Sequence, residues 1–167
     1  ITGRAGGTTL QSFSEVGYRM GGAARSVEPF VGVAMLRLHQ DGLTETGGSA
    51  ALAVFGRSYG VETVTAGAQA QAIVADLFGG AGPLVARGLI GYRRAFGTVA
   101  PAALLAFRGG GTAFRTGGGP LAEDAAVVSA GLDWEIAPGA RLGLAYDGQI
   151  GRRAQDHAVK GSLSYRW

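Results

Sequence analysis

A two-residue alternation, sustained over segments of ten residues and more, constrains this chain more than any other feature. From Asp156 to Trp167, Val159, Gly161, Leu163, Tyr165 and Trp167 share one parity, while Lys160, Ser162, Ser164 and Arg166 share the other. Successive side chains of a strand face opposite sides, so this segment has one apolar and one polar face; wound as a helix, the two sets would mix. The scheme recurs upstream. Leu142, Leu144, Tyr146 and Ile150 alternate with Arg141, Asp147 and Gln149, and Val128, Leu132, Trp134 and Ile136 alternate with Ser129, Asp133 and Glu135. It continues through Ala86 to Arg93, where Leu89 breaks the polar set, and through Thr63 to Ala72 and Glu15 to Met20; Val27 to Leu38 is ambiguous, with large apolar residues on both parities. The reading is seven strands, at 10–20, 26–41, 58–75, 84–97, 125–137, 140–151 and 156–167. Globular sheets use strands of about 5–6 residues, whereas a tilted strand needs ~9–11 to cross a bilayer.

The connections mostly alternate as well, although Gly151 to Gln155 is short and falls on the side of the long ones. Gly21 to Arg25, Asp76 to Pro83 and Ala137-Pro138-Gly139 are short, whereas Asp41 to Arg57 and Thr98 to Asp124 are long. Outer-membrane barrels have tight turns on the periplasmic side and longer loops outside. Val99 to Phe107 reads as a hairpin extension above the rim, and the glycine-rich runs at 108–112 and 116–120 as mobile loop. Tyr18, Trp134, Tyr165 and Trp167 fall at the short-turn ends of strands, and Tyr92 and Phe96 near the other end, as aromatic girdles require.

Composition separates this barrel reading from a soluble sandwich. Only 16% of residues are charged, and Gly supplies 31 of 167, too few ionisable groups for the solvated face of a conventional sheet. The polar parity holds Gly, Ser, Thr and Gln with scattered charges, which suits a hydrated lumen. Glu15, Glu28, Arg87, Arg93, Asp133, Arg141 and Asp147 are the candidate lumen-facing groups, expected to pair with one another in partly solvated pairs. No apolar run is long enough for a transmembrane helix. The net charge of +3 comes from dispersed residues, fourteen of the fifteen basic ones being Arg, and no aromatic-interleaved basic patch points to nucleic acid. The chain has no Cys, and no metal-ligand spacing or cofactor motif occurs. Asp156 and His157 are adjacent, yet no nucleophile motif accompanies them, so the chain does not read as an enzyme.

Taken together, Tyr146-Asp-Gly-Gln-Ile-Gly, Ala154-Gln-Asp-His-Ala-Val-Lys-Gly-Ser-Leu-Ser-Tyr-Arg-Trp167, Glu15-Val-Gly-Tyr-Arg, Val27-Glu-Pro-Phe-Val-Gly-Val-Ala, Asp41-Gly-Leu-Thr-Glu, Ala86-Arg-Gly-Leu-Ile-Gly-Tyr-Arg-Arg-Ala-Phe-Gly and Ala130-Gly-Leu-Asp-Trp resemble the C-terminal β-domain of bacterial autotransporters, the agents of type V secretion. The resemblance covers nearly the whole chain. It implies an all-β antiparallel transmembrane β-barrel of twelve strands, of which residues 1–167 would be the C-terminal seven. The lumen would hold a helix leading to an upstream passenger, with the passenger and first strands absent here. It implies a Gram-negative outer-membrane location, with partners in outer-membrane lipid, the barrel assembly machinery and the covalently linked passenger. It also implies that Val159, Gly161, Leu163, Tyr165 and Trp167 form the β-signal for assembly; the terminal Trp stands where the family usually has Phe. Two alternatives remain at this point. One is a small complete eight-stranded outer-membrane protein with a structural or adhesive role, since seven strands is odd and bacterial barrels are even. The other is a soluble β-sandwich binding module.

Overall fold

Extended backbone dominates the computed structural model, which describes residues 1–74 and 82–166. Its strands, all paired antiparallel where their register is given, are β1 (Gly7–Gly17), β2 (Met20–Gly21), β3 (Arg25–Gln40), β4 (Leu43–Thr44), β5 (Leu52–Val54), β6 (Arg57–Val74), β7 (Leu84–Gly97), β8 (Ala102–Phe107), β9 (Phe114–Gly117), β10 (Asp124–Ala137), β11 (Ala140–Gly151) and β12 (Gln155–Tyr165). The seven long ones form a single sheet in the order β1-β3-β6-β7-β10-β11-β12, and β2 pairs with β3. No helix among the described residues is long and apolar enough to cross a membrane, which says nothing of a barrel.

The long strands match the expected seven to within a few residues, and 84–97 and 140–151 coincide with β7 and β11. The first departs most, because the strand expected over 10–20 breaks after Gly17 and resumes as β2. Pro29 is the reason. Tyr18 donates its N–H to the Pro29 carbonyl at 3.1 Å, but proline has no N–H to return, so the pair loses half of its ladder. The Asp76 to Pro83 turn lies mostly outside the described residues, and so does Trp167.

The chain divides into two units. The first comprises residues 1–14, 33–63 and 95–123, the second 15–32, 64–94 and 124–167. Within the first, β4, β5, β8 and β9 make a separate four-stranded sheet in that order. Leu43, Val54, Leu105 and Phe114 stand opposite one another across it, and the Phe107 and Phe114 rings pack at 5.4 Å. Val99 to Phe107 is therefore part of a loop-borne sheet and adds no crossing. The expectation of unstructured glycine-rich loop is corrected for 116–117, which close β9.

In the second unit, β10 is paired along its length with β7 on one side and β11 on the other, and β11 with β12. Ala137-Pro138-Gly139-Ala140 is the tight corner between β10 and β11. Gly139 has φ +79°, and a Cβ there would lie 2.5 Å from the Arg166 carbonyl oxygen. Proline followed by a left-handed glycine is what a type II turn asks for.

Candidate functional site

The registers of β7, β10, β11 and β12 sort their side chains onto two faces of different chemistry. Leu84, Ala86 and Ile90 align with Trp134, Leu132 and Val128 of β10, these with Leu142, Leu144 and Gly148 of β11, and Leu142 and Tyr146 with Leu163 and Val159 of β12. This apolar face is bare. Ile90 is 67% exposed, Leu144 56%, and Val159 and Leu163 73% each. In water such a surface would be a large liability, and the few buried apolar groups do not compensate. Among the described residues they are Phe30, Val127 and four alanines, with no large side chain fully enclosed.

On the opposite face, polar groups are tied across strands. Arg87 of β7 pairs with Asp133 of β10 at 3.2 Å. Asp147 of β11 accepts a hydrogen bond from Ser129 at 2.8 Å and pairs with Lys160 of β12 at 3.0 Å. Arg93 reaches furthest. Its Nε donates to Thr65 Oγ1 of β6 at 3.2 Å, and its Nη1 donates to Gln149 Oε1 of β11 at 3.0 Å. Ala125 and Val127 stand opposite Arg93 and Gln149 respectively, so the guanidinium crosses β10 over them, and both are buried. A cavity of about 380 Å³ on this face is lined by Arg19, Glu28, Gln69, Gln71, Arg87 and Ser129. Glu28 lies over Gly17, where a Cβ would sit 2.6 Å from Oε1.

Six of the seven polar candidates thus fall on one face by register or by the cavity they line. These are Glu28, Arg87, Arg93, Asp133, Asp147 and Arg141. Arg141, opposite Glu135 and Ser164, lines a smaller cavity of about 160 Å³ on the same face near Gly139. Glu15 sits exposed in β1 and Glu28 half-buried in β3, neither with an ion-pair partner among the described residues. Sequence reasoning missed Lys160, Ser129, Thr65 and Gln149 as partners. The signal for them was available, since each sits on the polar parity of its strand.

Val159, Gly161, Leu163 and Tyr165 occupy the apolar parity of β12 and are exposed. Asp156 and His157 point to opposite faces of that strand. His157 Nδ1 instead meets the Tyr146 hydroxyl at 2.8 Å, with the rings stacked 6.1 Å apart. Also on the apolar parity, Tyr92 donates its hydroxyl proton to Asp124 Oδ1, which Arg94 approaches at 2.9 Å.

A family model described as the autotransporter beta-domain matches residues 1–147. The chain belongs to the autotransporter β-domain family. Two curated relatives are extracellular serine proteases of Serratia marcescens. Each is 30% identical, over 159 and 160 residues that make up 95% of this chain and 15% of theirs. The chain therefore spans about 15% of the length of the curated relatives it matches. The all-β antiparallel architecture is that expected of an autotransporter β-domain, and a soluble sandwich is set aside. The family match ends within β11, so the terminal-strand residues of this β-domain lie beyond it.

Proposed function

We propose that this β-domain is the outer-membrane translocator and anchor of a type V secretion protein, moving an attached N-terminal passenger to the cell surface. The observation that carries the reading is the two-faced sheet of the second unit, with exposed Ile90, Leu144 and Leu163 on one side and the Arg87–Asp133, Asp147–Lys160 and Arg93 ties on the other. Apolar groups facing lipid and polar groups facing a wet lumen are what a membrane-spanning barrel needs. Membership of the autotransporter β-domain family supports an attached passenger.

In this reading residues 1–167 are the C-terminal part of a twelve-stranded barrel. Glu15, Glu28, Arg87, Arg93, Asp133, Arg141 and Asp147 line its lumen and solvate the passing polypeptide. The domain carries anchoring and transport, and any catalysis belongs to the passenger. Val159, Gly161, Leu163, Tyr165 and Trp167 serve as the signal to the barrel assembly machinery. A β-augmentation contact suits such a strand, since backbone groups bind and alternate side chains specify.

The test is the size of the native polypeptide in the outer-membrane fraction of intact cells, before and after external protease. A protein much larger than 16.9 kDa, trimmed to a protected barrel-sized remnant, is the expected result. A native species no larger than this chain, apart from a signal peptide, would sink the proposal.

A further inference from the structure

In the first unit, where β3, β6 and β7 lead into the long connections, a polar cluster stands beside the start of β1. Arg37 and His39 alternate along β3 with Asp41 just beyond it, and Ser58, Gly60 and Glu62 alternate along β6, so each set projects to one side. The two sets meet. Arg37 Nη2 donates to Glu62 Oε1 at 2.7 Å, and His39 Nδ1 lies 2.7 Å from Ser58 Oγ. His39 Nε2 faces Asp41 Oδ1 at 3.4 Å. The four ionisable side chains are all more than half exposed. Exposed pairs contribute only ~0–1 kcal/mol each, so stability alone gives little reason for this network.

Two glycines open a cleft next to it. A Cβ at Gly60 would lie 2.8 Å from Arg37 Cδ, and one at Gly97, φ +91°, would lie 2.5 Å from the Gly60 carbonyl oxygen. That carbonyl already accepts the Thr98 N–H at 2.8 Å, so the floor is bare backbone with this group satisfied. The cleft measures about 540 Å³, and its walls include Thr8, Leu10, Arg37, His39, Ser58 and Thr98. Sites for small ligands span roughly 300–1,000 Å³.

The walls select the ligand by their chemistry. Arg37 is cancelled by Glu62, and Asp41 holds the His39 side at zero or below, so a phosphate or carboxylate gains no net attraction. What the cleft offers is donors and acceptors side by side. The spare guanidinium N–H groups donate, the carboxylate oxygens accept, and the hydroxyls of Thr8, Ser58 and Thr98 do both. A vicinal diol uses both kinds at once. Hydrogen bonds to charged partners are the stronger ones, and groups already held by one another lose less freedom when a ligand arrives. Leu10, 58% exposed, offers an apolar wall to the C–H face of a sugar ring.

We propose that this cleft binds a neutral glycan. Its position on the outside of the cell rests on the membrane-spanning reading above, whereas its chemistry does not. Two sources present the same hydroxyls: a foreign oligosaccharide, and the sugar of a glycolipid in the surrounding leaflet.

Full-length protein, purified in a sugar-free zwitterionic detergent and checked for heat-modifiable gel migration, is applied to an array of neutral, sialylated and phosphorylated glycans. Arg37→Gln and Ser58→Ala are run beside it, so glycans bound elsewhere on the polypeptide are recognised by their indifference to both changes. The expected result is a neutral glycan whose signal falls at least fivefold in a variant that migrates as the wild type does. If no neutral glycan responds, or only sialylated or phosphorylated ones do, the proposal is overturned and the membrane-spanning reading stands. Wild-type protein without heat-modifiable migration would sink that reading instead. A fluorescent conjugate of the responding glycan, offered to intact cells, then separates the sources. Binding marks a cleft open to foreign oligosaccharide, and no binding marks one filled by neighbouring glycolipid.

Discussion

Arg93 and Asp147 each tie two other strands of the polar face, and Arg93 makes the longer reach. One guanidinium ties β6 to β11 across β7 and β10, and it is half-buried, so its hydrogen bonds are less open to competition from water. Arg93→Met keeps the stem and removes both bonds. Hydrogen bonds to a charged group are worth about 1.5–3 kcal/mol net, so the urea midpoint of the detergent-folded barrel should fall by an amount in that range. An unchanged midpoint would mean that lumen water replaces the lost bonds in full. The two faces should also respond differently to the same charge. Ala130 lies midway between Asp124 and Trp134 on the apolar parity and is exposed; Ala130→Arg places a cation near the bilayer centre, at a cost of ~2–4 kcal/mol. Gln71→Arg adds the same cation to the polar cavity and should leave membrane-inserted protein near the wild-type level. Equal losses in the outer-membrane fraction would refute the assignment of faces.

At the scale of elements, the β10–β11 corner and the terminal strand invite separate tests. Gly139→Ala forces a side chain into a left-handed conformation and against the Arg166 carbonyl, and should cost about 1–3 kcal/mol. Gly88→Ala, where a Cβ would meet only the Ser129 carbonyl oxygen at 3.8 Å, should be neutral or stabilising. Urea titration of the two variants side by side decides this. In β12, Leu163→Ser with Tyr165→Ser should lower the amount assembled in cells far more than the stability of protein refolded in detergent, if these residues are read during assembly. A proportional fall in both would make them ordinary wall residues. The elements differ in how plainly they can be read beforehand. A strand such as β12, with Val159, Gly161, Leu163 and Tyr165 alternating with Lys160, Ser162 and Ser164, announces itself. β4, β5 and β9 have two to four residues each, too few for a period to show, and they form only because β8 is brought beside them by long-range pairing. The polar parity likewise revealed which charges share a face. It did not reveal that Lys160 meets Asp147 or that Arg93 passes over Val127, because those meetings depend on register across strands, which turn geometry sets.

For the molecule as a whole, the sheet path runs from β1 to β12, each paired on one side only among the described residues. Edge groups left unsatisfied in lipid cost several kcal/mol each, so residues 1–167 produced alone should fail to float with vesicles, whereas the full-length protein should float and show heat-modifiable migration. Stable flotation of the 167-residue piece would show that it closes its own edges, for instance by self-association. The same open face predicts aggregation of the isolated piece in water, measurable by light scattering.

The last two strands carry a safeguard against mispairing. Tyr146 stands opposite Val159 but bonds to His157, two residues earlier; Asp147 stands opposite Ala158 but bonds to Lys160, two residues later. A one-residue slip of β12 would turn Val159, Leu163 and Tyr165 toward the polar side and be rejected at once. A two-residue slip keeps every side chain on its proper face, and hydrophobicity alone would not detect it. Because the two bonds lean along opposite diagonals, sliding in either direction stretches one of them beyond reach. The hairpin therefore has a vernier: two marks, one on each surface, that coincide at a single alignment.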